Sequence, residues 1–315
     1  MLLAPAMSRA VTCTSQAELS AADRAQLSEA GVRISTDVLN QDYPALQAAL
    51  LPSETSIWNA MHTAVEDAAP VMKGGHIELT NAYLLDASSL TAPEDSQFFC
   101  SNASGSLTVT VAMRALPPGK YAIVLGEAAG APLDGQIGIV LAWEEGASGG
   151  WKLAGVSIHQ GKFDGHDGVW LWARARSLSS ADPWSAYYLY DLARYALMPV
   201  GFISSPNLEK LDTEQSQIKN SPKNAFPYSL PDGSRTWKID SIEINTILQQ
   251  ADLAVTYEST GVTTPAAQHT EAVTVLSALL KAQPGLRESF HGLWAVASYN
   301  GKKTPIIELP MAQIP

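Results

Sequence analysis

The spacing of apolar residues predicts helices in the first quarter of the chain. Apolar side chains recur every three or four positions over 18–33 and 42–51, and again from Pro52 to Pro70. Ser20 is placed to cap the first of these helices, and Pro70 marks the end of the third. We therefore expect three short helices before any sheet begins.

Strand signals then follow, with alternation of apolar and polar residues at 77–84 and 107–113. The strands are expected at 77–84, 107–113, 121–125, 136–143 and 151–158. Short turns rich in glycine and proline separate them, which favours antiparallel neighbours. Helices followed by consecutive strands indicate an α+β fold rather than a parallel doubly wound sheet.

The last of these strands carries a resemblance to a known family. Residues 150–156 read Gly-Trp-Lys-Leu-Ala-Gly-Val, and a Trp-Lys-Leu strand commonly closes proteins of the NTF2-like cone fold. The segment 18–160 resembles that fold in its order of elements and in this strand. The resemblance implies helices packed on a curved antiparallel sheet. It implies no single function, because the fold hosts isomerases, dehydratases, small-ligand binders and interaction modules.

The rest of the chain divides into three predicted segments. Residues 161–219 form a helical hairpin region, with helices expected at 167–179, 184–197 and 206–218. Residues 220–236 have the composition of a linker. Residues 237–315 form a C-terminal α+β unit of two strands, a helix at 264–283 and a hairpin that turns at Asn300.

The first 17 residues and the two cysteines provide evidence on the cellular compartment of the protein. Residues 1–10 are apolar and small, and Ala4-Pro5-Ala6 fits a cleavage site, so residues 1–17 are either a signal-peptide remnant or a frayed terminus. Cys13 and Cys100 are predicted to form a disulfide, the alternative being two buried thiols. We expect a bacterial protein exported to the periplasm or beyond the cell, similar to uncharacterised exported proteins of bacteria.

Charge and composition exclude several classes of partner. The net charge is −11, only 16% of residues are charged, and lysine and arginine do not cluster. A nucleic-acid partner is therefore not expected, because phosphate binding needs a basic surface. No apolar run approaches the roughly 20 residues that cross a bilayer, so we expect no membrane span.

The densest group of polar residues lies at 159–168, between the last predicted strand of the sheet and the helical hairpin. A weak ligand-binding site is predicted from His159, Asp164, His166, Asp167, Trp170 and Trp172. Imidazoles and carboxylates together can bind an ion or exchange protons. The alternative is a glycine-rich turn in which Asp164 or Asp167 caps the next helix. The remaining histidines at 62, 76, 269 and 291 are isolated in the sequence and are expected to be structural or exposed.

The sequence contains no phosphate-binding loop, nucleophile elbow, Cys-x-x-Cys or His-Glu-x-x-His, so no metal or cofactor is predicted. The leading hypothesis is a non-enzymatic binding or interaction protein for an unknown small molecule or protein partner. The alternative is an isomerase or hydrolase that works in the pocket of the cone. That alternative needs ionisable groups converging inside the cone, and the strands offer His76, Glu78, Glu127 and Glu144.

Overall fold

The fold was analysed in a computed structural model, which describes residues 11–101, 108–146, 149–233 and 235–315. Most of the predicted leader, residues 1–10, lies outside these ranges. The described chain is a mixed α+β protein that divides into two compact units. Unit 1 comprises the described residues up to Gly161 together with Met198–Glu209, and unit 2 comprises Lys162–Leu197 together with Lys210–Pro315.

Helices and strands alternate in blocks along the described residues. The helices are α1 (Ala21–Leu39), α2 (Tyr43–Ala49), α3 (Trp58–Met72), α4 (Gly168–Leu178), α5 (Pro183–Leu197), α6 (Pro206–Ser216), α7 (Pro265–Ala282) and α8 (Leu286–Ser289). The strands are β1 (Thr12–Ser15), β2 (His76–Asp86), β3 (Glu94–Ser101), β4 (Thr108–Leu116), β5 (Lys120–Ala129), β6 (Gly135–Glu144), β7 (Gly150–Gln160), β8 (Lys162–Phe163), β9 (His166–Asp167), β10 (Ile203–Ser204), β11 (Tyr228–Asp232), β12 (Arg235–Asn245), β13 (Asp252–Glu258), β14 (Gly292–Tyr299) and β15 (Lys302–Pro310).

Unit 1 is built on a five-stranded sheet in the order β1-β2-β5-β6-β7, in which every neighbouring pair is antiparallel. The antiparallel α+β arrangement predicted from the sequence is therefore confirmed. Leu27 and Ile34 of α1 share a buried cluster with Val124 and Ile139 of the sheet. The side chain of Ser20 caps α1, as its position predicts.

A second sheet of unit 1 has the order β10-β4-β3. Phe98, Val111 and Ile203, one from each strand, lie in a separate buried cluster. The predicted disulfide between Cys13 and Cys100 is confirmed, and it links β1 of the first sheet to β3 of the second. Because two short elements from different sheets are held together covalently, the N-terminal segment is fixed at this point.

Unit 2 packs helices against the sheet β11-β12-β13-β14-β15. β13 and β14 are parallel and are connected through α7, whereas the other neighbouring pairs are antiparallel. A parallel pair needs a crossover connection, and α7 supplies it. Tyr257, Leu279 and Leu293 are fully buried members of the core between helix and sheet.

Residues 220–236, which the sequence predicts as a linker, contain the edge strand β11, antiparallel to β12. Leu230 of this strand is fully buried, so the segment contributes to the core of unit 2. The linker prediction overlooks this strand because Pro227 and Pro231 give the segment a loop-like composition. Proline is compatible with an edge strand, since its missing N–H need not pair with a neighbour.

None of the helices in the described residues is both long enough and apolar enough to cross a membrane.

Candidate functional site

The six residues of the predicted site do not form one cluster. His159 is the penultimate residue of β7 in unit 1, and the other five belong to unit 2. The His159 ring is buried, with Nδ1 3.2 Å from the carbonyl oxygen of Gln160 and Nε2 3.3 Å from that of Pro199. Burial lowers the pKa of His159, although hydrogen bonds to backbone carbonyls oppose the shift.

Asp167 caps the helix that follows it. Its Oδ1 accepts a 2.8 Å hydrogen bond from the backbone N–H of Trp170, the first-turn donor that a cap satisfies. This is the structural alternative left open by the sequence.

Trp172 belongs to a network on the surface of unit 2. Its indole Nε1 donates a 2.8 Å hydrogen bond to Glu214, and Arg176 donates two hydrogen bonds to the same carboxylate. The Arg176 guanidinium holds the pKa of Glu214 below its usual range. This network lines a polar groove of about 610 Å³. Arg176 and Glu214 already satisfy each other, and Lys219 is the other charged residue that lines the groove.

The remaining predicted residues, Asp164, His166 and Trp170, line one cavity of about 300 Å³ within unit 2. The His166 and Trp170 rings are stacked, with centroids 3.5 Å apart and an angle of 9° between their planes. The two-stranded ribbon β8-β9 positions His166, and its turn requires positive φ at Asp164 (50°) and Gly165 (79°). The sequence therefore identified one wall of this cavity.

The rest of the cavity comes from parts of the chain that sequence reasoning did not connect with 159–168. The other lining residues are Phe163, Leu171, Arg174, Leu189, Ala251, Glu288, Ser289, Phe290 and His291. Phe163, Leu171 and Phe290 are buried and make part of the lining apolar. Among the described residues, no ion pair or side-chain hydrogen bond involves Arg174, so its guanidinium is available to a ligand.

His291, predicted to be isolated, belongs to a cluster of ionisable residues as well as to the cavity wall. Its Nδ1 lies 3.0 Å from Oδ1 of Asp252, whose residue is only 1% exposed. The indole of Trp294 donates a 3.1 Å hydrogen bond to Oδ2 of the same carboxylate. Glu308 completes the group, because one ligand atom from each of Asp252, His291 and Glu308 lies within 4.8 Å of the other two.

Glu308 has an incompletely satisfied carboxylate. Its Oε1 is buried and has no hydrogen-bond partner among the described residues. Burial raises the pKa of Glu308, and the nearby charge of Asp252 raises it further, whereas His291 opposes the shift. This grouping was not visible in the sequence, because its members are 39 and 17 positions apart and match no spacing motif.

The four ionisable residues proposed for a cone pocket do not converge in an enclosed space. His76 and Glu78 are 2.8 Å apart, but 71% and 56% of their side chains are exposed. Glu127 lies opposite Glu78 on β5, and Glu144 is 3.8 Å from Lys152. The interior beneath α1–α3 is filled mainly by leucine, isoleucine, valine and alanine.

Comparison with known proteins adds no family to this picture: scans against protein-family models, curated proteins and solved structures each find no match.

Proposed function

We propose that the protein is a binding protein that takes a small planar acid into the unit 2 cavity. One observation carries this proposal: a stacked and partly exposed aromatic pair lines the same cavity as Arg174, whose guanidinium has no partner among the described residues. Trp170 is 43% exposed, which is unusual for so large an apolar side chain. An aromatic ligand would cover this ring, and its carboxylate would pair with Arg174.

The size and polarity of the cavity support a small ligand. Its volume of about 300 Å³ is at the lower end of the usual range for ligand sites, roughly 300–1,000 Å³. Buried Phe163 and Phe290 provide apolar contact, while Arg174 provides a cationic group and His166 and His291 provide hydrogen-bonding groups. Asp164 and Glu288 also line the cavity and would select against a ligand that carries several negative charges.

The remaining parts of the proposal concern fold family and compartment. The order of α1–α3 followed by the antiparallel strands β2-β5-β6-β7 supports an NTF2-like cone in unit 1. The disulfide between Cys13 and Cys100 supports export to an oxidising compartment. Fractionation of the native host with an antibody to the protein tests export, and detection only in the cytoplasm would contradict it.

A thermal-shift screen of aromatic carboxylates tests the binding proposal, with the amides of the same rings as neutral counterparts. A ligand at 100 times its Kd stabilises the folded state by about 2.7 kcal/mol, so a true ligand raises Tm clearly. We expect carboxylates to bind and the amides to bind at least tenfold more weakly.

Two substitutions place the binding within the cavity. Trp170→Ala and Arg174→Gln are each expected to weaken the ligand found in the screen, because one removes the stacking surface and the other the charge. Trp143→Ala is the matched control, since Trp143 is 40% exposed but lies in unit 1. Equal binding by all three variants and the wild type would refute the proposal.

A further inference from the structure

We infer that Asp252, His291 and Glu308 form a binding site for a divalent cation, with zinc as the ion that these ligands suit best. The inference concerns a different chemistry from the cavity and does not depend on the proposed ligand. Three neighbouring strands of the unit 2 sheet bring the residues together.

The register of the sheet explains why these residues meet. Asp252 begins β13 and lies opposite Gly292, the first residue of the parallel strand β14. His291 immediately precedes β14, and Glu308 of β15 lies opposite Trp294. The three side chains therefore come from adjacent strands at the same end of the sheet, which gives the site a rigid support.

Gly292 makes the close approach of the two carboxylates feasible. A Cβ atom at this position would lie 2.8 Å from Oε1 of Glu308 and 3.0 Å from Oδ1 of Asp252. Both oxygens therefore occupy the space where any other residue would place its side chain. The glycine leaves one shared volume beside two carboxylate oxygens and the His291 imidazole.

One buried oxygen atom of this cluster has no hydrogen-bond donor among the described residues. Trp294 satisfies Oδ2 of Asp252, and a protonated Nδ1 of His291 satisfies Oδ1. Nothing among the described residues then donates to Oε1 of Glu308, although that atom is buried. A cation between the three ligand atoms would satisfy all of them at once, with the Nδ1 proton of His291 released to solvent or moved to Nε2 so that Nδ1 can bind the ion.

The charge of the cluster also favours a bound cation. No ion pair with a lysine or arginine is found for either carboxylate within the described ranges. A divalent cation bound between these two carboxylates would neutralise both of them. Burying such charge without a counterion is costly, especially for Asp252, which is almost fully buried.

The ligand types and spacing favour zinc. Zinc binds imidazole nitrogen and carboxylate oxygen at about 2.0–2.2 Å, and tetrahedral geometry places ligand atoms about 3.3 Å apart. The Asp252–His291 contact of 3.0 Å is close to this value, and all three atoms lie within 4.8 Å of one another. Three protein ligands leave a fourth position for water. Trp294 would act as a positioning residue by orienting the Asp252 carboxylate.

Calorimetric titration of the full chain with zinc chloride tests the inference, after dialysis against EDTA and removal of the chelator, with the disulfide kept intact. We expect one zinc ion per chain and a rise in Tm on binding. Cobalt in place of zinc is expected to give the visible absorption of a tetrahedral site. Failure of the folded wild type to take up zinc in this ratio, or uptake of calcium but not zinc, would overturn the assignment.

Substitutions locate the ion and separate binding from folding. Trp294→Phe removes a supporting hydrogen bond and is expected to lower zinc affinity about 10–100-fold, as is typical for such residues. His291→Gln and Glu308→Gln are expected to lower it further, because each removes a ligand. Glu243→Gln and His269→Gln, which alter exposed residues of unit 2, are the matched controls.

Circular dichroism of each variant confirms that a loss of affinity does not reflect unfolding. Unchanged zinc affinity in both His291→Gln and Glu308→Gln would refute the site. Trp170→Ala is expected to bind zinc normally, so failure of the cavity proposal and failure of the metal proposal give different results.

Discussion

Oδ1 of Asp191 accepts a 2.5 Å hydrogen bond from Nε2 of Gln215, which joins α5 to α6. Burial raises the pKa of Asp191 to about 6, even though the bond from Gln215 and the charge of Arg194 act to lower it. The folded protein therefore binds the proton more tightly than the unfolded chain. The stability that the protonated Asp191 contributes is complete below the ordinary pKa near 3.8. It is lost as the pH rises through the folded pKa of about 6.

Asp191→Asn removes this ionisation while keeping an oxygen that Gln215 can reach. We expect the variant to gain stability relative to the wild type between pH 4 and pH 7, by up to about 3 kcal/mol. Urea unfolding at a series of pH values measures the difference. Asp67→Asn, which removes an exposed carboxylate from α3, controls for the loss of one negative charge. A stability difference that does not vary with pH would contradict the assignment.

Glu214 gives the opposite pH dependence. The pKa of Glu214 is lower in the folded protein than in the unfolded chain, mainly because of Arg176. The ionised carboxylate therefore stabilises the fold at pH values above the unfolded pKa. This stabilisation is lost as the pH falls through the folded pKa. Because the ion pair is partly exposed, we expect Glu214→Gln to cost about 1 kcal/mol at pH 7. The cost should fade below the ordinary pKa of glutamic acid. A double-mutant cycle with Arg176→Gln measures the coupling, and zero coupling at pH 7 would be inconsistent with this account.

Removal of the disulfide should destabilise the protein substantially. Cys13 and Cys100 are 87 positions apart, and the entropy of closing so long a loop gives an upper value of about 4–5 kcal/mol. We expect Cys13→Ser/Cys100→Ser to lose about 2–4 kcal/mol in urea unfolding. The wild type with a reducing agent should lose a similar amount, whereas the reducing agent should not affect the double variant. Equal stability of oxidised and reduced protein would show that the bond contributes nothing.

The cap of α4 can be tested independently of the cavity beside it. Asp167→Ala removes the acceptor for the N–H of Trp170 and is expected to cost about 1 kcal/mol. Asp167→Asn keeps a capping oxygen and should cost much less. Chemical denaturation followed by far-ultraviolet circular dichroism measures both variants. Equal losses would indicate that charge, rather than the hydrogen bond, matters at this position.

Local patterns predicted most of the secondary structure because periodicity and capping are local properties. The predicted helix at 264–283 is α7, Pro265–Ala282, and the strand predicted at 136–143 is β6, Gly135–Glu144. The edge strand β11 was missed, since its prolines outweigh a short apolar pattern. The parallel pairing of β13 with β14 was also missed, because it depends on contacts between residues about 40 positions apart.

In the candidate sites, too, local groupings could be predicted from the sequence and long-range groupings could not. Asp164, His166 and Trp170 could be identified because they are neighbours in the sequence, and Asp167 could be recognised as a cap from its position before a helix. His291 was expected to be isolated, yet the register of β13, β14 and β15 places it beside Asp252 and Glu308. A single sequence contains no signal for such a grouping, because each residue lies within or directly before an ordinary strand.

The short strand β10 has a consequence for how the protein is made. It completes the sheet with β4 and β3 of unit 1, yet it follows α4 and α5 of unit 2 in the chain. During synthesis, unit 1 therefore remains incomplete until the ribosome has passed Ser204. A fragment ending at Gly161 would leave one edge of β4 unpaired and open to another chain. Neither unit is a continuous stretch of sequence, and the last segment of unit 1 is translated only after the first segment of unit 2.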